Sequence, residues 1–269
     1  MSAPAPGSAP GPSPSKDAFY VGYLPTPKAL VGFLAIVAGA VLGSSAVVAV
    51  ALVMGQGDWG KASFQFQDGY QTRTGVLQAL PYPVLYLPPD AENPDGHAIP
   101  LSGQGKRGVI EKSVVLDGKP AEVGGVFLRR GGIAVEMVQV GGQVDLRPAT
   151  DAAALGGWTG PDTKTLGPRT LKGELVGSKC YLGAMRPGQG KTHKLCANLC
   201  IIGGIPPMFV VYRGDGAEPL ILLLAAPDGG PVDDGLLLHT AHYVELSGVL
   251  ERRADLLVFR ADPNSLTRL

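Results

Sequence analysis

The side chains able to do chemistry gather in one stretch. All three cysteines, Cys180, Cys196 and Cys200, fall in KCYLGAMRPGQGKTHKLCANLCIIGGIPP, and His193 lies among them. Thr192 is a suitable N-cap, and Gly203-Gly204 before Pro206 is a stop, so the sequence predicts a short helix over His193–Ile202. His193, Cys196 and Cys200 follow one another at three and four residues, the separations at which helical side chains share a face. Cys180, at the end of a strand leading into the loop, can complete a group of three thiols and one imidazole.

Cys180, His193, Cys196 and Cys200 form a full tetrahedral ligand set for zinc. The spacing, C-x12-H-x2-C-x3-C, departs from the close C-x2-C pairs of zinc ribbons. Copper is a second candidate, because soft thiolates select Cu(I) and Met185 and Met208 lie close enough in sequence to add a thioether. Four protein ligands leave no position for water or substrate, so the expected role of a metal here is structural. A disulfide from Cys180 to Cys196 or Cys200 is the alternative in an oxidising compartment, with the third thiol left over for redox chemistry. Cys196 to Cys200 is the least favourable bridge, since residues one helical turn apart suit disulfide geometry poorly.

The rest of the chain must position these groups. Its 269 residues carry 23 basic and 23 acidic side chains, so no electrostatic footprint marks it for nucleic acid. Its 39 glycines and 24 prolines are more than a helical bundle tolerates, which points to a turn-rich β protein. Residues 1–27, rich in Ala, Pro, Ser and Gly, read as a disordered tail. No charge occurs between Lys28 and Asp58, and the apolar run exceeds the roughly 20 residues that cross a bilayer as a helix. Residues 28–57 are therefore expected to be a single transmembrane helix rather than a signal peptide, whose apolar region is about 7 to 15 residues. Lys16 and Lys28 precede the span, while Asp58 and Lys61 cancel beyond it, which places the tail in the cytoplasm. Tyr20, Tyr23 and Trp59 are expected at the two interfaces.

Beyond Asp58, short apolar or alternating runs at Tyr82–Leu87, Val109–Leu116 and Ala134–Val140 read as strands. Residues 118–140 resemble residues 239–261: Glu122 matches Glu245, Gly125 matches Gly248, and Arg129-Arg130 matches Arg252-Arg253, all at an offset of 123. TGVL at Thr74–Leu77 is echoed by KGEL at Lys172–Leu175. Two copies of one β unit follow. The expected architecture is mainly β: two tandem OB-like small barrels, at 58–147 and 170–269, joined by a linker at 148–169. Gly125 and Gly248 would permit the sharp bend of each barrel. Trp158 reads as a packing anchor for the linker, and His97, His239 and His242 as solvated loop residues.

A strand ending in Cys180, a Gly-rich loop, His193-x-x-Cys196-Ala197-x-x-Cys200, then Gly203 and the apolar Met208–Val211 together resemble a family of bacterial exported OB-like domains. The resemblance covers Leu171–Tyr212 and implies a recurring exported domain, with no activity to carry over. It also implies a bacterial inner-membrane protein with its C-terminal domains in the periplasm. PGQGKT at Pro187–Thr192 ends like a phosphate-binding loop, but the glycine required five places before Gly190 is Met185, so no nucleotide is expected. No C-x-x-C-H occurs, so no haem attachment is expected either. No small-molecule substrate and no catalytic residue is identified. The function expected first is an accessory subunit of a respiratory or electron-transfer membrane complex with a structural Cys3His metal site or disulfide. A zinc- or copper-binding delivery protein and a thiol redox protein are the alternatives.

Overall fold

A computed structural model describes residues 26–55, 62–141, 145–214 and 217–269. The chain divides into two units, 1–58 and 59–269. The first contains helix α1 (Lys28–Gly55), apolar on every face, unburied, and long enough to cross a membrane. Tyr20, Tyr23, Trp59, Lys16, Asp58 and Lys61, and all but the end of the expected tail, lie outside the described residues.

The second unit is two closed five-stranded barrels. After a short strand β1 (Ala62–Phe64), the first is built from β2 (Gln71–Gln78), β3 (Val84–Leu87), β4 (His97–Ser102), β5 (Pro120–Arg130) and β6 (Glu136–Val140). Pairing runs β2-β3-β4-β6-β5 and back to β2, every contact antiparallel except β4 with β6. Helix α2 (Ile110–Ser113) bridges β4 and β5. Strand β7 (Leu146–Pro148) adds to β5.

The same circuit recurs in β8 (Thr163–Gly177), β9 (Pro207–Val211), β10 (Leu220–Ala225), β11 (Tyr243–Arg253) and β12 (Leu256–Ala261), again with one parallel contact, β10 with β12. Strand β13 (Thr267–Arg268) adds to β11. The order 1-2-3-5-4-1, with strands 3 and 5 parallel, is the OB-type Greek-key barrel expected from the sequence. Helix α3 (Lys194–Ile202) lies between β8 and β9, inside the cysteine-bearing insertion.

The internal repeat is carried by register. Thr74 pairs with Glu122 in the first barrel and Lys172 with Glu245 in the second, so both sequence echoes meet at one rung. Gly125 pairs with Val140, and Gly248 with Ala261, because the second hairpin is two residues shorter. The cores match too: Leu77 and Leu175, Phe127 and Leu250, Val138 and Phe259 are equivalent buried positions.

Gly125 and Gly248 have no positive φ; they are glycine for want of room. A Cβ on them would stand 2.0 Å from the Gln139 carbonyl oxygen and 2.3 Å from that of Arg260. The equivalent pair Gly75 and Gly173 is equally tight against Tyr86 and Val210, at 2.2 and 2.4 Å. Both barrels thus coil where adjacent strands approach too closely for any side chain.

Three expectations are corrected. Val109–Leu116 is helical, α2 and a 3-10 turn over Val114–Leu116, because Val109, Ser113 and Leu116 are buried at helical spacing while Val114 and Val115 face solvent. Strand β8 starts at Thr163, inside the stretch expected to be linker, since Gly167 with φ 91° and a register shift at Leu250/Glu251 absorb the apparent break. His97 opens β4 and is no solvated loop residue. Its Nδ1 is 2.5 Å from Asp255, in the second barrel, and its Nε2 is 3.1 Å from Glu136, in the first.

The barrels share two apolar clusters. Tyr82 and Tyr86 of the first pack with Leu223, Leu256 and Val258 of the second, with Trp158 against them as a packing anchor. Leu128 and Met137 pack with Tyr181, Met208 and Val210. Polar clasps add to these: His97 with Asp255, and Arg252 with Asp95.

Hydrogen bonds to Asp255 and then Glu136 raise the His97 pKa to about 9, against ~6.5 in an unfolded chain. The stabilisation is therefore complete below ~6.5 and lost as pH rises through about 9. The thermal unfolding midpoint is expected to fall between pH 7 and 9.5 in the wild type and to fall less in His97→Gln. Gly248→Ala should cost about 1–3 kcal/mol by overpacking, read as a lowered denaturation midpoint. Gly214→Ala, where a Cβ meets nothing within 4 Å, should be neutral.

Candidate metal centre

Strand β8 ends at Gly177 and the chain turns through Ser178 and Lys179 into a tight π-type turn, Cys180–Ala184. Cys180 is thus held directly beyond the barrel wall. A 3-10 turn, Lys191–His193, leads into α3, whose N-cap is His193 with no side-chain cap bond; Thr192 does not take that place. The other end follows expectation. Gly204 adopts φ 86°, its N–H donates to the Ile201 carbonyl at 2.9 Å, and the Ile205 N–H donates to the Cys200 carbonyl at 2.9 Å. This Schellman closure fixes the turn that carries Cys200.

The three thiols converge. Cys180 Sγ lies 3.6 Å from Cys196 Sγ and 3.9 Å from Cys200 Sγ, and all three sulfurs are within 4.8 Å of one another. Three sulfurs each ~2.3 Å from one ion would stand ~3.8–4.0 Å apart, so the group is the right size to hold a metal. All three are free thiols. His193 is outside this group. It is 3% exposed, and its Nε2 is buried without a hydrogen-bond partner. Burial, then the Lys106 charge, lower its pKa and favour the neutral imidazole that a metal would need. Met185 is beside the thiols, its Sδ accepting from Cys196 Sγ at 3.1 Å. Met208 is not; it is packed in the core between the barrels. His242 places Nε2 3.1 Å from Lys194 Nζ, away from the thiols.

Two lysines attend the sulfurs. Lys106 Nζ donates to Cys196 Sγ at 2.8 Å. Lys179 is 3% exposed and donates to the carbonyls of Gly103 at 2.7 Å and Gly105 at 2.8 Å. Among the described residues no carboxylate pairs with it. Burial lowers its pKa, and Cys200 and Cys180 oppose that. The thiols are therefore the anionic partners of a buried cation. Cys200 is correspondingly drawn down to about 7, first by the hydrogen bond from Cys180 and then by Lys106, Cys196 and Lys179, against the effect of burial. Cys180 is pushed up by that same hydrogen bond and by burial.

The Lys106 loop belongs to the first barrel, between β4 and α2. It is clamped to the end of α3: the Gly108 N–H donates to the Gly203 carbonyl at 2.6 Å. A Cβ on Gly203 would stand 1.8 Å from the Lys106 carbonyl oxygen, and one on Gly108 2.1 Å from that of Gly204. From β5, Arg130 lies 4.3 Å over the Tyr181 ring and donates to the Tyr181 carbonyl at 3.1 Å. The thiols thus sit where the barrels meet. Sequence reasoning missed Lys106, Lys179 and Arg130 as parts of the site. The visible signals were the Lys179-Cys180 dipeptide and the lysine within GQGKRG at Gly103–Gly108.

No protein-family model, no curated protein and no solved structure matches this chain.

In metal-free protein, the ultraviolet absorbance of thiolate is expected to rise with a first step near pH 7, assigned to Cys200. Lys106→Met and Lys179→Met should each move that step upward, towards the ~8.5 of an ordinary thiol.

Proposed function

We propose that the chain is a membrane-anchored metal–thiolate protein in which one metal ion, held by Cys180, Cys196 and Cys200, fastens the two barrels together. The observation that carries this reading is the convergence of three thiols, beside a buried lysine that pairs with no carboxylate among the described residues, at the seam between barrels. Thiolates bound to a cation are the state that such a site favours, because a buried ammonium needs an anion and the thiolates need positive charge. His193, whose buried Nε2 has no hydrogen-bond partner among the described residues, is the reserve nitrogen ligand for a four-coordinate zinc.

In this reading α1 spans a bacterial inner membrane with the N-terminus in the cytoplasm, and the barrels face the periplasm. There the protein serves as an accessory subunit of a respiratory or electron-transfer membrane complex. A rigid ectodomain stapled by a metal suits such a part. Metal delivery is a second reading, favoured by one observation: Met185 is 46% exposed and touches Cys196, so the group reaches the surface.

The test is elemental analysis of the full chain extracted from membranes in mild detergent. One metal ion per chain is expected, lost in Cys200→Ser. Chelation should lower the unfolding midpoint and re-addition of metal should restore it. A metal-free protein whose unfolding ignores added metal would overturn the reading.

A further inference from the structure

The identity of the ion can be taken one step beyond the proposed function, on which this inference rests. One feature of the site distinguishes a soft monovalent ion from a divalent one, the fourth donor. The Met185 thioether lies on the solvent side of the thiols, 3.1 Å from Cys196 Sγ, while the His193 imidazole stands outside the thiol group. Thioether sulfur is a ligand for Cu(I) and a poor one for zinc, which takes thiolate, imidazole or carboxylate.

We propose that Cys180, Cys196, Cys200 and Met185 form a copper(I) site, with Met185 and Cys196 as the solvent-side ligands through which the ion enters and leaves. Exposure falls along that path, from Met185 through the half-buried Cys196 to Cys180 and Cys200. On binding, each thiol that still carries a proton releases it to water and gives its sulfur lone pair to the metal. The ion enters and stays as Cu(I), so no electron is transferred.

The experiment uses the full chain, reduced and metal-free in detergent under argon. It is mixed with one equivalent each of Cu(I), supplied as its acetonitrile complex, and Zn(II), then desalted and analysed. Copper is expected to stay with the protein and zinc to wash away. In a titration against a Cu(I) chelator, Met185→Leu should weaken copper binding by about tenfold, the scale on which lost ligand-sphere contacts act. The unfolding midpoint of the metal-free variant should equal that of the metal-free wild type, because the Met185 side chain is 46% exposed. Retention of zinc in preference to copper, or a copper affinity untouched by Met185→Leu, would overturn the copper(I) assignment and leave the metal-staple reading standing. Retention of neither metal by the wild type would overturn both.

Discussion

The arrangement of the ectodomain turns on one buried ammonium. Among the described residues Lys179 pairs with no carboxylate; it donates to the carbonyls of Gly103 and Gly105, and Cys200 and Cys180 oppose the lowering of its pKa by burial. An ionised lysine in the interior is tolerated when its protons are taken up and a negative charge lies close by. The carbonyls come from the first barrel and the thiols from the second, so one ammonium holds groups of both barrels together. Removing either partner strands the other.

Duplication supplied the frame and asymmetry supplied the site. The two barrels agree rung for rung at Thr74/Glu122 and Lys172/Glu245, and share glycines at the same crowded strand crossings. They differ where strand one meets strand two: Gln78 to Val84 is a short connection in the first barrel, while Gly177 to Pro207 holds both the turn bearing Cys180 and helix α3 in the second. The first barrel contributes a loop over that insertion. Chemistry was thus added at a junction without altering the pairing of either barrel.

Much of this was legible in the residues. The apolar run of α1, the repeat, the closed β architecture, and the helix that lines up Cys196 and Cys200 follow from hydrophobic pattern, offset and glycine placement. The errors have physical causes. Val109–Leu116 is rich in β-branched residues, yet its burial period is helical, so composition misled where periodicity would not have. His97 has no local partner in its loop, and only tertiary structure brings Asp255 to it across 158 residues. Lys106 is 90 residues from Cys196. Helical spacing suggested that His193 would join the cysteines, but it falls in the cap turn ahead of α3, where the backbone no longer continues the helical face. Met185, the residue that closes the π-type turn, enters through its contact with Cys196 on α3, 11 residues away.

Hydrogen–deuterium exchange of the full chain, compared with and without bound metal, tests most directly the claim that one metal site joins the two barrels. The account predicts that amides of Gly103–Gly108, in the first barrel, gain protection together with those of Cys180–Gly204, in the second, when metal binds. Protection confined to Cys180–Gly204, with the Gly103–Gly108 loop exchanging at an unchanged rate, would contradict it.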